Sequence, residues 1–116
     1  MERRILITVD HDEIAPRFDL AMEVLILRLG RDDELAARKS LLLAHPSADE
    51  LCDLILERDI DAVVCGGIEE EYYHYLRWKR VEVFDGVIGS VDAVIDRLRA
   101  GTLTPGDVVG FSGATS

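Results

Sequence analysis

The sequence predicts an α/β domain in which a mixed five-stranded sheet is covered by helices. Short apolar, β-branched runs recur along the chain, clear helical spacing begins only after residue 45, and the strand-like runs before it follow one another with no clear helix between. Strands that alternate with helices imply parallel pairs joined by right-handed crossovers, while strands in direct succession pair antiparallel through short loops. The expected order is therefore β-β-β-α-β-α-β-α.

Each element has a local reason. "RRILITVD" (3–10) is β-branched and bounded by a polar cluster, which predicts a buried strand, and "HDEIAPRFD" (11–19) reads as a loop. "MEVLILRLG" (22–30) is a second strand ending at Gly30. "RDDELAA" (31–37) leads into "RKSLLLA" (38–44) as a third, hairpin-connected strand, although "DDELAARKSLLL" also fits a helix. In "HPSADELCDLILERDID" (45–61), Ser47 and Glu50 have capping-box spacing, and Ala48, Leu51, Cys52 and Ile55 repeat at helical intervals. "DAVVCGG" (61–67) is a short strand closed by glycines, "IEEEYYHYLRWK" (68–79) a helix, and "RVEVFDG" (80–86) a strand. "SVDAVIDRLRAG" (90–101) is a last helix between a Ser90 cap and a Gly101 stop. Residues 1–104 are expected to form the one domain. Residues 105–116, ending in the small and polar "GFSGATS", are expected to be a flexible tail.

Composition narrows the function. At 116 residues, 48% of them apolar, the chain is of single-domain size and has enough apolar side chains for a core. A formal net charge of -10 opposes binding to nucleic acid or to an anionic membrane surface, and the longest basic cluster is only Arg77, Lys79 and Arg80. No apolar run approaches the roughly 20 residues that span a bilayer, and the start turns acidic before a signal-peptide core could form. The expectation is a soluble, cytoplasmic protein whose two cysteines, Cys52 and Cys65, are reduced.

The most suggestive stretch is "VVCGGIEEEYYHYLRW" (63–78). Two glycines between a strand and a helix suggest a phosphate cradle, but Glu69, Glu70 and Glu71 occupy the same turn and would repel a phosphate. Neither nucleotide-binding glycine pattern is present. Cys65 at a strand end, with Gly66 and Gly67 leaving room beside it, is a candidate soft-metal or iron–sulfur ligand, and it equally fits a small buried hydrophobe. Cys52 lies on the apolar face of its helix and reads as core. His11, between Asp10 and Asp12, stands in the loop expected to face Cys65, so a His/Cys pair is one reading and a solvated loop histidine the other. Glu70 and Glu71 precede His74 at helical spacing, half of a carboxylate-type metal site or simply an exposed polar face. Ile68, Tyr72, Tyr75 and Leu76 form a stripe that reads as core. His45 shows no partner. Asp10 and Asp12 raise a magnesium-dependent nuclease, which the negative charge and the lack of a basic track oppose.

Three segments together, "ILITVDHDEIAPRFDLA", "DAVVCGGI" and "VEVFDGVIGSVDAVIDRLRAGTL", resemble the dinitrogenase iron-molybdenum cofactor biosynthesis family, the NifX/NifY-type proteins and the carboxyl-terminal domain of NifB. The resemblance covers about residues 3–104. It implies a ribonuclease-H-like three-layer fold, in which the first strand lies beside the 61–66 strand and the loops after them converge on a ligand crevice. It also implies a non-catalytic protein that binds or carries an iron–sulfur or iron–molybdenum-type cluster among donor and acceptor proteins. On that reading Cys65 and His11 are ligands, Arg17 is a charge partner for the anionic cluster, Gly66 and Gly67 line the crevice, and Glu70, Glu71 and His74 form a second site for a harder metal. This chain departs from the family by placing "EEEYYHYLRW" after the glycine turn and Asp19-Leu20 after Arg17-Phe18. The alternative is a metal-free interaction module that docks a partner through its acidic helix.

Overall fold

A computed structural model describes residues 2–110. Strand β1 (Arg3–Asp10) is the centre of the sheet, with β3 (Glu23–Leu29) antiparallel on one side and β5 (Ala62–Val64) parallel on the other. β4 (Leu35–Leu42) continues the antiparallel half beyond β3, and β6 (Glu82–Phe84) continues the parallel half beyond β5. The order across the sheet is β4-β3-β1-β5-β6. Helices α1 (Ala48–Glu57) and α2 (Glu70–Trp78) cover one face and α3 (Val91–Ala100) covers the other. This is the mixed α/β layering that the alternation of strands and helices predicts.

Two cores follow from the period of two along β1. Ile5, Ile7 and Val9 face α3 and pack with Val94, Ile95 and Leu98. Leu6 turns the other way, among Leu51, Ile55, Val63, Leu76 and Phe18. Because β1 has a strand on each side and a helical layer on each face, its apolar run is continuous rather than alternating. β4 is the opposite case. It is exposed along residues 35–40, and Arg38 and Lys39 sit on this unpaired edge, where charged side chains discourage further strand addition. The helical reading of 32–43 gives way because Gly30 and Glu34 close a tight turn, with the Gly30 N–H donating to the Glu34 carbonyl at 2.9 Å, and β3 then pairs with Leu35 and with residues 37–42 across a bulge at Ala36.

The helix ends form as their capping residues predict. Ser47 Oγ accepts from the Glu50 N–H at 3.1 Å, and Ser90 Oγ accepts from the Ala93 N–H at 3.2 Å. Gly101 ends α3 in the left-handed conformation, φ 71°. Glu50 makes only half of the expected box, since its carboxylate turns to His45 Nε2 at 3.4 Å, giving that histidine the partner the sequence did not reveal.

Three features were not anticipated. Residues 11–19 are not a plain loop but hold β2 (Glu13–Ile14), which folds back on β1, and a 3₁₀ turn (Phe18–Leu20). A two-stranded parallel pair joins β7 (Ile88–Gly89) to β8 (Val108–Val109). That pair corrects the expected tail: residues 105–110 are fixed by β8 and by the Gly106 N–H donating to the Asp85 carbonyl at 2.8 Å. The rest of the expected tail, 111–116, lies outside the described residues.

One buried polar atom has no partner among the described residues, Thr8 Oγ1 on β1. Thr8 is fully buried, and a buried hydroxyl without a partner costs about 1–3 kcal/mol. Replacing it by the near-isosteric valine is expected to raise stability by about 1 kcal/mol, read from the urea midpoint at unchanged slope. A loss of stability instead would mean that the hydroxyl is hydrogen-bonded in solution.

Candidate functional site

The site begins with a mismatch of strand lengths. β1 pairs with β5 only as far as Ile7 and Val64, yet it runs on to Asp10. The overhanging residues find their partner in β2, Val9 opposite Ile14 and Asp10 opposite Glu13, which leaves His11 and Asp12 at the tip of a tight hairpin. Such a turn asks for positive φ, and His11 supplies it at 58°, in a region that costs a non-glycine residue roughly 1–2 kcal/mol. Its ring is 94% exposed, and Nδ1 lies 2.8 Å from Asp10 Oδ1. In the tautomer whose Nδ1–H donates to this carboxylate, Nε2 keeps its lone pair, the arrangement that prepares a histidine to ligate a metal.

Beneath this hairpin lies a cleft of about 510 Å³, between the 3₁₀ turn and the start of β3. Its polar lining includes His11 and Arg17, and its apolar lining includes Leu20, Met22 and Leu42, all three substantially exposed. Arg17 is held in a two-pronged bond to Asp19, Nε at 3.0 Å and Nη2 at 2.7 Å, so its guanidinium arrives oriented and partly neutralised. Met22 adds a thioether, a soft donor that the sequence reading passed over. The signal was available, since Met22 is the chain's only internal methionine and opens the strand after the Pro-Arg-Phe turn.

The structure thus sets His11 and Arg17 on one cleft and leaves Cys65 out of its lining. Cys65 follows the last β1–β5 pair and so sits level with Thr8, three residues short of His11, or about 10 Å at the rise of a strand. Its thiol is fully buried in the core with Leu6, Ala15 and Phe18, and burial, then the Asp85 charge, pushes its pKa up to about 12. A neutral, sealed thiol is not a ligand in this conformation, and the reading of Cys65 as a small buried hydrophobe describes what is seen.

The expected crevice between residues 10–18 and 65–74 is also closed. The Gly67 N–H donates to the Pro16 carbonyl at 2.8 Å, and the Gly67 carbonyl accepts from the Phe18 N–H at 2.8 Å. A Cβ on Gly66 would collide with the carbonyl oxygens of Ala15 and Pro16. Gly66 and Gly67 therefore serve the packing of two backbones rather than a cofactor. Glu70, Glu71 and His74 are exposed on α2, and among the described residues no group of three potential metal-ligating side chains is assembled there or elsewhere. Cys52, on α1, is buried as predicted, its pKa pushed up to about 11 by burial and by Asp49 and Asp53. Among the described residues, no helix is long and apolar enough to cross a membrane.

The described residues thus form a three-layer α/β domain with an exposed histidine over a largely apolar cleft. The chain is a member of the dinitrogenase iron-molybdenum cofactor family, whose model matches residues 1–101. No curated protein matches it. Among solved structures, the PH0822 protein is similar with a TM-score of 0.79 and 17% identity over 88% of this chain and 93% of that one. A Methanocaldococcus jannaschii protein provisionally designated a dinitrogenase gives a TM-score of 0.72 at 24% identity, covering 90% of this chain and 94% of its own. A Thermotoga protein provisionally designated NifB, of the DUF35 family, gives 0.66 at 18%, covering 89% and 92%. These likenesses establish a shared fold.

Two outcomes follow from this geometry. Gly66→Ala is expected to lower stability by about 1–3 kcal/mol through the collision with residues 15 and 16, whereas Gly67→Ala, whose Cβ would lie 3.6 Å from the Pro16 oxygen, is expected to be nearly neutral in the same denaturation series. Cys65 is expected to resist alkylation at pH 8 in the folded protein and to react once it is unfolded. Since its folded pKa lies above the ordinary thiol value of 9.0, the stability it contributes is complete below pH 9 and declines as pH rises toward 12. Cys65→Ala should flatten that alkaline decline, and prompt alkylation of the native thiol would refute the burial.

Proposed function

We propose that this protein is a non-catalytic carrier that receives an iron–sulfur or iron–molybdenum-type cluster in the cleft under the His11 hairpin and passes it between donor and acceptor proteins of the cytoplasm. The observation that carries the reading is the Asp10–His11 pair, an exposed imidazole tethered through Nδ1 to a carboxylate, at the mouth of a cleft large enough for a bulky ligand. Family membership supplies the chemical class of that ligand. His11 is the first ligand on this reading, Met22 a soft neighbour, and Arg17 a donor of hydrogen bonds to cluster sulfides. The sheet order is read here as ribonuclease-H-like, with the site on the overhang of its central strand.

The donor set suits a cargo better than a resident cofactor. An iron–sulfur cubane asks for about four thiolates, and this cleft offers none, so a cluster would be held at few points and shielded by Leu20, Met22 and Leu42. Few ligands mean a short residence, as a transfer protein requires.

Anaerobic reconstitution followed by iron and sulfide analysis tests this. The parent is expected to retain cluster, His11→Ala to lose at least about tenfold in affinity, and Cys65→Ala to retain it. His11→Gly separates fold from function, because relief of the left-handed strain should stabilise the protein by about 1 kcal/mol while cluster retention falls as in His11→Ala. A parent that stays colourless and iron-free, or a His11→Ala variant that loads like the parent, would overturn the assignment.

A further inference from the structure

A second depression, about 370 Å³, lies between α1 and α2 and shares no lining residue with the His11 cleft. Asp49, Cys52 and Asp53 of α1 face Glu71, Tyr72 and Tyr75 of α2 across it. Among the described residues, Asp49, Asp53 and Glu71 enter no ion pair. Asp49 and Glu71 have a local reason to be acidic, since each sits in the first turn of its helix. Asp53 has none. The Cys52 side chain, 5% exposed, lines the groove as a free thiol.

Two further observations point to a ligand. Glu71, Tyr75 and Trp78 fall at i, i+4 and i+7 along α2, so the acidic groove runs into an aromatic stripe whose last member is 74% exposed. Trp78 is exposed rather than set in the core, and tryptophan is among the residues most enriched at the anchors of protein interfaces. The stripe also already holds a cation: Lys79 Nζ lies 4.7 Å from the Trp78 ring centroid and 5.7 Å from that of Tyr75. Lys79 thereby shows the chemistry these rings accept.

We propose that the α1–α2 groove docks a lysine- or arginine-rich segment of a partner protein, with basic side chains on Asp49, Asp53 and Glu71 and an aliphatic or guanidinium surface on Tyr75 and Trp78. The length favours a peptide over a small amine. From Glu71 to Trp78 the helix rises about 10 Å, the span of roughly three extended residues. A metal ion fits poorly, because no three metal-ligating groups of the described residues come together here. Partial burial and the carboxylates of Asp49, Glu71 and Glu69 raise the Tyr72 pKa, in keeping with a negative field in the groove.

The test uses Trp78, the only tryptophan of the chain, as its own reporter. A short Lys/Arg-rich peptide titrated into the metal-free protein is expected to change Trp78 emission saturably and to bind more weakly as salt rises. The triple variant D49N/D53N/E71Q is expected to bind about tenfold more weakly, while D32N/E57Q/D96N, with the same net charge but changes outside the groove, binds like the parent. Trp78→Ala, at a position exposed enough to leave the fold intact, is expected to weaken binding to a similar extent by calorimetry. Equal losses in the two triple variants would reduce the effect to overall charge and overturn the proposal. Binding that leaves Trp78 emission unchanged would place the peptide elsewhere, and displacement of the peptide by equimolar spermine would replace the protein partner with a small polyamine.

Discussion

The contact on which the rest of the structure depends is the approach of two backbones, residues 15–18 against residues 66–67. It is possible only because Gly66 has no side chain, and both amide–carbonyl exchanges of Gly67 are used to hold it. β5 stops at Val64, and the space an open sheet would leave beyond it is filled by the chain returning from β1. The ring of Phe18 enters the core there, fully buried and 6.3 Å from Tyr72 on α2. One glycine thus ties the overhang of the central strand to the helical layer and seals Cys65 beneath it.

Sealing that end moves the chemistry to the hairpin tip. A histidine in a left-handed turn is a costly choice where glycine or asparagine would fit, and strain of this kind persists where the surrounding structure or a function requires it. The Asp10 bond offsets part of the cost by fixing the ring. The bond to Asp19 does the same for Arg17, so the imidazole and the guanidinium of the cleft are both positioned before any ligand arrives. The apolar groups around them, Leu20, Met22 and Leu42, are left exposed together on this one cleft.

The elements of the fold were legible wherever a local rule sufficed. Ser47, Ser90 and Gly101 mark helix ends by their own hydrogen bonding and dihedral preferences, and the buried face of α1 follows from its spacing. His11 stands out because its loop is expected to face Cys65, and Arg17 enters through the family resemblance; the fold sets both on one cleft instead. What escaped was set by tertiary register. Whether Cys65 faces a crevice or a core depends on how far β1 outruns β5, and nothing near Cys65 encodes the length of a strand whose residues lie far from it in sequence. The same holds for β8, whose two valines look like the start of a tail until β7 is there to pair with them. Glycines next to a strand end carried an ambiguous signal, because close approach of a ligand and close approach of a backbone make the same demand on Cβ.

The charge of the molecule then acquires a division of labour. A chain at net charge -10 repels an anionic cluster at long range, but that field is screened over about 8 Å in physiological salt. At the cleft, Asp10 and Glu23 stand in the lining beside His11 and Arg17, and Asp10 is engaged by His11, so a cluster within reach meets a mixed local field and apolar walls rather than the net charge of the whole chain. The unpaired acids of α1 and α2 lie in a separate groove, where their attraction is directed at basic protein surface. On the two readings proposed above, short-range ligation retains the cargo while longer-range attraction recruits the partner. Because the two sites share no lining residue, neutralising one leaves the chemistry of the other in place, and the same small domain can hold its cargo weakly without losing the protein to which it is delivered.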